Sequence, residues 1–211
     1  MNQKCEGKPY LSYGELDVEE VTQELHQIEP ALWQRYDFRT KFSSLTHKST
    51  HTIPLYWLIN SWRAHTPATI YRFTDGTSFF PWIERLHQHL IQQGIEDGIV
   101  VKAMFAKLLP NQIIPTHVDV GNALQLAHRY HWVISSHSAV QMTVNGESTH
   151  WPNHHVYELN NIVKHSVENP TDTERIHFIM DVMPRALLSA GITYQEVSWA
   201  DYPSVESILL S

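Results

Sequence analysis

Val140-Gln141-Met142-Thr143-Val144-Asn145-Gly146-Glu147-Ser148-Thr149-His150 is the stretch whose reading decides the fold class. Apolar and polar residues alternate up to Asn145-Gly146, the pair best suited to a two-residue hairpin turn, and the chain then doubles back. Working outward, short apolar runs recur at residues 100–108, 129–135, 156–159, 163–167 and 175–182. Pro110-Asn111, Asn160-Asn161 and Asn169-Pro170 punctuate them as turns. Short strands at such close spacing predict an antiparallel sandwich or barrel.

Upstream the texture is different. Asp17 and Glu20 are spaced as a capping box, and Val18, Val21, Leu25 and Ile28 recur at helical spacing up to Pro30. A second helix is expected to start near Ser78, with Phe79, Ile83, Leu86 and Leu90 on one face, Pro81 in its first turn and Gly94 at its exit. Residues 53–57 and 70–73 read as short strands. These readings divide the chain into a helical and irregular region (1–98), a β core (99–184) and a C-terminal segment (185–211), the first packed on the core rather than independent of it.

Composition narrows the function classes. The 211 residues carry 15 Lys+Arg against 22 Asp+Glu, a net charge of −7, and no basic stripe, so no nucleic-acid partner is expected. A single cysteine, Cys5, excludes an intramolecular disulfide framework and any multi-cysteine metal site. No apolar run approaches the roughly 18 residues of a membrane span, and no signal-peptide pattern opens the chain. The expectation is a cytoplasmic protein without a membrane partner. Histidine is abundant, 15 residues, as many as lysine and arginine together.

His117-Val118-Asp119 is the first place where histidine could do chemistry. Residues i and i+2 of a strand project to the same side, so this imidazole and carboxylate can take adjacent positions around one ion. His165, on a later strand, is the candidate third ligand. Two histidines and one carboxylate on one face leave positions open, as in non-haem Fe(II) oxygenases. Beyond the turn Asn169-Pro170-Thr171-Asp172, Arg175 opens the run Arg175-Ile176-His177-Phe178-Ile179-Met180-Asp181-Val182 and would return beside His165. An arginine at that depth calls for an anion, and its planar fork matches a carboxylate. Arg129 and His131 share a strand face and could add donors for a bound acid. His177 shares the face of Arg175, and Asp181 reads as a structural acceptor.

The pieces Leu109-Pro110, Pro115-Thr116-His117-Val118-Asp119, Arg129-Tyr130-His131, His165-Ser166-Val167-Glu168-Asn169 and the run from Arg175 to Val182 occur in a known order. Residues 105–184 resemble the aspartyl/asparaginyl β-hydroxylase family of Fe(II)- and 2-oxoglutarate-dependent oxygenases, and are similar to bacterial free-proline hydroxylases. The resemblance implies a double-stranded β-helix (a cupin-like jelly roll), here with N-terminal helices outside it. It implies Fe(II) with 2-oxoglutarate and O2 as cosubstrates, and hydroxylation of a C–H bond of an amino acid or amino-acid side chain, with release of succinate and CO2. The substrate would be a small molecule or peptide bearing a carboxylate. By the same resemblance His117, Asp119 and His165 are the metal ligands and Arg175 grips the distal carboxylate of 2-oxoglutarate. Arg129 and His131 match positions that touch cosubstrate or substrate carboxylates. The chain departs from the family at Asn111, where glycine is usual, at Thr116, which intervenes before His117, and at Ala106, where the animal enzymes carry a hydroxyl. Two other readings suit the same ligands: a cupin-type metalloprotein with non-oxidative chemistry, and a non-catalytic barrel that binds an organic acid.

Overall fold

The computed structural model describes residues 4–35, 48–198 and 201. Twelve strands among them build two sheets: β1 (Tyr10–Glu15), β2 (Thr50–Leu58), β3 (Ala68–Phe73), β4 (Gly98–Leu108), β5 (Gln112–His117), β6 (His128–Ser135), β7 (Gln141–Val144), β8 (Glu147–Thr149), β9 (His155–Leu159), β10 (His165–Asn169), β11 (Arg175–Pro184) and β12 (Ile192–Val197). The larger sheet runs β1-β9-β6-β11-β4-β2-β3-β12, and the smaller runs β5-β10-β7-β8. From β4 to β11 the chain weaves between the sheets, so that sequence neighbours such as β4 and β5 face each other across a barrel while distant strands pair. This is the double-stranded β-helix, mainly β with a few helices around it.

Local chemistry explains the hairpin at its centre. Asn145 and Gly146 both have positive φ, 50° and 86°, the mirror-image turn that joins twisted strands without splaying them. Asn111, the departure from the usual glycine, also sits at φ 55°, a conformation asparagine tolerates better than most side chains.

Helices α1 (Glu19–His26) and α3 (Phe80–Gln92) occupy the two expected helical stretches, and a further short helix, α2 (Pro30–Arg35), follows α1. Val21 and Leu25 of α1 and Trp82 and Leu86 of α3 pack with Phe105, Trp132 and Phe178 of the larger sheet. The indoles in this layer are satisfied: Trp82 Nε1 donates to Glu24 and Trp132 Nε1 to the Leu16 carbonyl, at 2.8 and 2.9 Å. The opposite face of the sheet encloses a separate barrel interior with Leu108, Val133, Met142, Val144 and Val167. A short α4 (Asn122–Leu126) packs beside the end of β2, its Ala123 N–H donating to the Asn60 carbonyl.

The region before residue 98 is more than a packed extension. It supplies β1, β2 and β3 to the larger sheet, and β12 joins from beyond residue 184, so the expected boundary near 98 does not divide the sheet. The reason is burial on both faces. In β2, Ile53, Pro54, Leu55 and Trp57 all lie inside, so the strand has no outward polar face to mark it as peripheral and it continues the sheet beside β4. Pro54 has no N–H to give to the ladder, and the register shifts between it and Tyr56. Strand β10 begins two residues later than expected, because Asn160–Val163 forms a turn closed by Val163 N–H to the Asn160 carbonyl. The described residues contain no helix long and apolar enough to cross a membrane.

Candidate metal centre

Register brings the two histidines together. His165 on β10 pairs directly with His117 on β5, so their side chains stand on one face, ring centroids 4.2 Å apart. Asp119 follows β5 by two residues. Its backbone N–H donates to the Asn161 carbonyl at 3.0 Å, which turns the carboxylate back toward the rings. One atom from each of His117, Asp119 and His165 lies within 4.8 Å of the other two.

The atoms that face inward are settled by the atoms that do not. His117 Nδ1 lies 2.8 Å from the Pro115 carbonyl and His165 Nδ1 lies 2.9 Å from the Val163 carbonyl. A carbonyl only accepts, so each Nδ1 carries the proton and each Nε2 is left with its lone pair. Those Nε2 atoms lie 3.7 and 3.9 Å from Asp119 Oδ1. Asp119 Oδ2 is taken by Arg129 Nη1 and, at 3.1 Å, by Asn161 Nδ2. Two imidazole nitrogens and one carboxylate oxygen therefore converge. Asp119 and His165 are buried, whereas His117 is partly exposed and marks the open side.

Electrostatics favours the ligand forms. Burial opposes ionisation of Asp119, but Arg129, then His165, the Asn161 amide and His117 outweigh it and hold the carboxyl well below the usual carboxylate range. Burial is the main cause that lowers the pKa of His165, which keeps it neutral and able to ligate. Lys4, from the N-terminal turn, buttresses Asn161: its Nζ donates to Asn161 Oδ1 at 2.6 Å and to the Leu124 carbonyl at 2.5 Å. Burial brings this lysine down to about 8.

Arg129 stands opposite Asp181 across the β6–β11 ladder. Its Nε and Nη2 donate to the two Asp181 oxygens, both at 2.8 Å, and Nη1 goes to Asp119. The guanidinium thus ties the site's carboxylate to a second, deeper one. Arg129 was expected to touch a cosubstrate or substrate carboxylate; it lines the cavity, and the partners the structure gives it are Asp119 and Asp181. Asp181, read as a structural acceptor, is that acceptor.

Arg175 lies at the start of β11, 4% exposed, on the wall of the same narrow cavity as His117, Asp119, Arg129, His131 and His165. The acidic neighbours available to it in sequence are engaged elsewhere: Glu174 pairs with Lys107 at 2.7 Å and Asp172 accepts from Asn111. Arg175 Nη2 contacts His177 Nδ1 at 2.9 Å. Thr50 also lines this cavity, its buried hydroxyl without a hydrogen-bond partner among the described residues. It offers a hydroxyl on the wall where Ala106 has none. Nothing in the sequence singled out Thr50, the first residue of a strand that also carries Thr52. Asn161 was legible only as part of a turn.

His177 supplies a pH dependence. Burial first, then Arg175, lowers its pKa well below the ordinary value. The unfolded chain takes up a proton near pH 6.5 that the folded chain refuses, so stability present above that pH is lost as pH falls through it. Melting temperatures of the metal-free protein are expected to fall between pH 7.5 and 5.5, and His177→Asn should flatten that slope. An equal slope in the variant would remove His177 as the cause.

A jelly roll with two histidines and a carboxylate gathered at its open end has the architecture of the non-haem Fe(II) oxygenases. A family model of aspartyl/asparaginyl beta-hydroxylases matches residues 15–184, and the chain belongs to that family. An oxidoreductase of the 2OG-Fe(II) oxygenase family from Burkholderia pseudomallei superposes with a TM-score of 0.51 at 9% identity, covering 85% of this chain and 96% of that one. HygX from Streptomyces hygroscopicus, solved with nickel and 2-oxoglutarate, gives 0.54 at 10% identity over 85% and 84%. A viral collagen prolyl hydroxylase from Paramecium bursaria Chlorella virus-1, in complex with 2-oxoglutarate, gives 0.51 at 9% identity over 85% and 98%. At such identities the likeness is one of fold. No curated protein matches the chain in sequence. Membership of that family, whose enzymes use Fe(II) and 2-oxoglutarate, makes this chain an oxygenase. The donor set fits both, with imidazole and carboxylate for the iron and a buried guanidinium for a dicarboxylate.

Proposed function

We propose that the chain hydroxylates a C–H bond of an amino acid or amino-acid side chain, with His117, Asp119 and His165 holding Fe(II) and Arg175 holding the distal carboxylate of 2-oxoglutarate. The observation that carries this reading is the shared cavity. Three convergent ligand atoms and a buried arginine line one space, as a metal and a diacid bound to it require.

Each residue then has a task. His117 and His165 present Nε2 because their Nδ1–H groups are fixed on backbone carbonyls. Asp119 presents Oδ1 because Arg129 and Asn161 hold Oδ2. Arg129 keeps that carboxylate ionised and aimed, and Asp181 anchors Arg129. His117, Asp119 and His165 would hold Fe(II) from the cavity wall, with the cavity beside them for the cosubstrate. Fe(II) with 2-oxoglutarate bound supplies the oxidising chemistry for C–H hydroxylation, and succinate and CO2 leave as coproducts. The barrel residues Ile114, Met142, Leu159, Val167 and Ile179 keep water from the reacting centre. The cavity leaves only about 30 Å³ of room, so a five-carbon diacid enters with movement of its lining, and unbranched Met142 is the side chain best able to yield. His131 lies on the same wall, its Nδ1 engaged by His177.

The test is an anaerobic titration with Fe(II) and then 2-oxoglutarate, read by the visible metal-to-ligand charge-transfer band. Arg175→Ala is expected to raise the 2-oxoglutarate dissociation constant about 30-fold or more, the effect of truncating one partner of a buried, hydrogen-bonded charge pair by roughly 2 kcal/mol. Iron affinity should be unchanged. A wild-type band would then justify screening amino acids and peptides for O2-dependent succinate release. Bound iron without a band would reject the reading in favour of a non-oxidative metalloprotein or an acid-binding barrel.

A further inference from the structure

Behind the cavity wall lies a buried polar side chain that the tasks above leave unused. His177 is 1% exposed and does not line the cavity; Arg175 and His131, which do, stand in front of it. Its Nδ1 is 2.9 Å from Arg175 Nη2 and 3.2 Å from His131 Nδ1.

The proton positions follow from one fact: a guanidinium only donates. Arg175 therefore requires an unprotonated Nδ1 on His177, which places that residue's single proton on Nε2. The same bare Nδ1 then faces His131 Nδ1, so His131 carries its proton there. Arg175, which stays charged, sets the tautomers of both rings. Burial together with the positive charge of Arg175 keeps His177 neutral, as an acceptor must be.

The tautomer is bought at a penalty elsewhere in the ring. His177 Nε2 is buried without a hydrogen-bond partner among the described residues. Around it lie aromatic surfaces, with Trp151 parallel at 6.3 Å and His131 edge-on at 5.4 Å. An apolar side chain would fill such a place without leaving a donor unsatisfied. What the imidazole adds is an acceptor for Arg175.

We infer that His177 is a positioning residue for the cosubstrate: by accepting one N–H of Arg175 at Nδ1 it fixes the guanidinium plane, and so determines which donors meet the distal carboxylate of 2-oxoglutarate. This rests on the assignment of Arg175 above. His177 itself touches neither iron nor cosubstrate. Its sequence position, two residues after Arg175 on one strand face, is what lets a single side chain reach the fork from behind.

The experiment compares His177→Leu, His177→Asn and Arg175→Ala in the full chain, again by anaerobic Fe(II) and 2-oxoglutarate titration. His177→Leu is expected to weaken 2-oxoglutarate about 10-fold or more, in the range for loss of an outer-shell partner, with Fe(II) affinity unchanged. His177→Asn, whose carbonyl oxygen can accept from Arg175, should recover most of that loss. Wild-type cosubstrate affinity in His177→Leu, or an equal loss in the leucine and asparagine variants, would overturn the inference. Loss of affinity in Arg175→Ala alone would leave the functional reading intact, whereas no loss in Arg175→Ala would reject the reading itself. A second readout needs no apolar variant to fold. Nitrogen-15 spectra of the histidine rings, with the His177 signals identified by their absence in His177→Asn, should show a neutral ring protonated at Nε2 at pH 7. A proton on Nδ1, or a charged ring, would overturn the inference directly.

Discussion

Changing His165 to alanine is expected to lower Fe(II) affinity by more than about 100-fold, beyond the 10- to 100-fold typical of losing only an outer-shell partner. The residue gives the centre a neutral Nε2 at 3.9 Å from Asp119 Oδ1, and its register partner His117 cannot replace it. The metal-free fold should survive. His165→Ala removes one buried ring and one hydrogen bond to the Val163 carbonyl, a loss of about 1–2 kcal/mol, which is a shift of a few degrees in melting temperature for a chain of this size. Isothermal titration under argon, paired with a thermal melt, separates the two quantities. Iron bound as tightly as in the wild type would exclude His165 as a ligand. Lost iron with an unfolded protein would instead assign the residue to the core.

Arg129→Met carries the largest expected effect on stability. Asp181 and Asp119 are both buried, and both lean on this one guanidinium. Removing it leaves buried carboxylates without their cation, which costs about 3–5 kcal/mol, or roughly 6–20 °C in melting temperature. The double variant Arg129→Met with Asp181→Leu should recover part of the loss, because an apolar pair of similar volume needs no desolvated charge. Fe(II) should stabilise Arg129→Met more than it stabilises the wild type, since the ion supplies the positive charge that Asp119 has lost. A melt of Arg129→Met within two degrees of wild type would mean that the buried network is not a determinant of stability.

These two residues show different degrees of legibility. His117 and Asp119 could be paired on the page, because i and i+2 of an extended segment share a face wherever that segment lies. His165 could be proposed only by its kind and by family resemblance. Its place beside His117 depends on the β5–β10 register, a choice made by strand pairing across the barrel. Arg129 was visible as a donor sharing a face with His131, yet its partners were not. Asp181 becomes its neighbour only through the β6–β11 ladder, and Asp119 only because the Asn161 carbonyl folds the residues after β5 inward.

The same division runs through the fold. Hairpin β7–β8, the long strands β4, β6 and β11, and helix α3 have local causes: an Asn-Gly turn, short apolar runs bounded by turn residues, a proline in the first turn and a glycine at the exit. Strands β1 and β12 have no such causes. They are edge strands whose outward faces remain largely exposed, and each is held by one neighbour, β9 or β3. Residues 53–57 were readable as a strand but not as the neighbour of β4 in the larger sheet. What the sequence by itself determined was the β-rich class, the principal turns and the short-range pair His117 and Asp119, because each depends on residues close along the chain. Tertiary structure alone decided the register that aligns His165 with His117, the bond of Arg129 to two aspartates and the contact of His177 with both Arg175 and His131. Those are orientations of side chains across hydrogen-bonded strands, where a slip of one residue would turn every one of them to the opposite face.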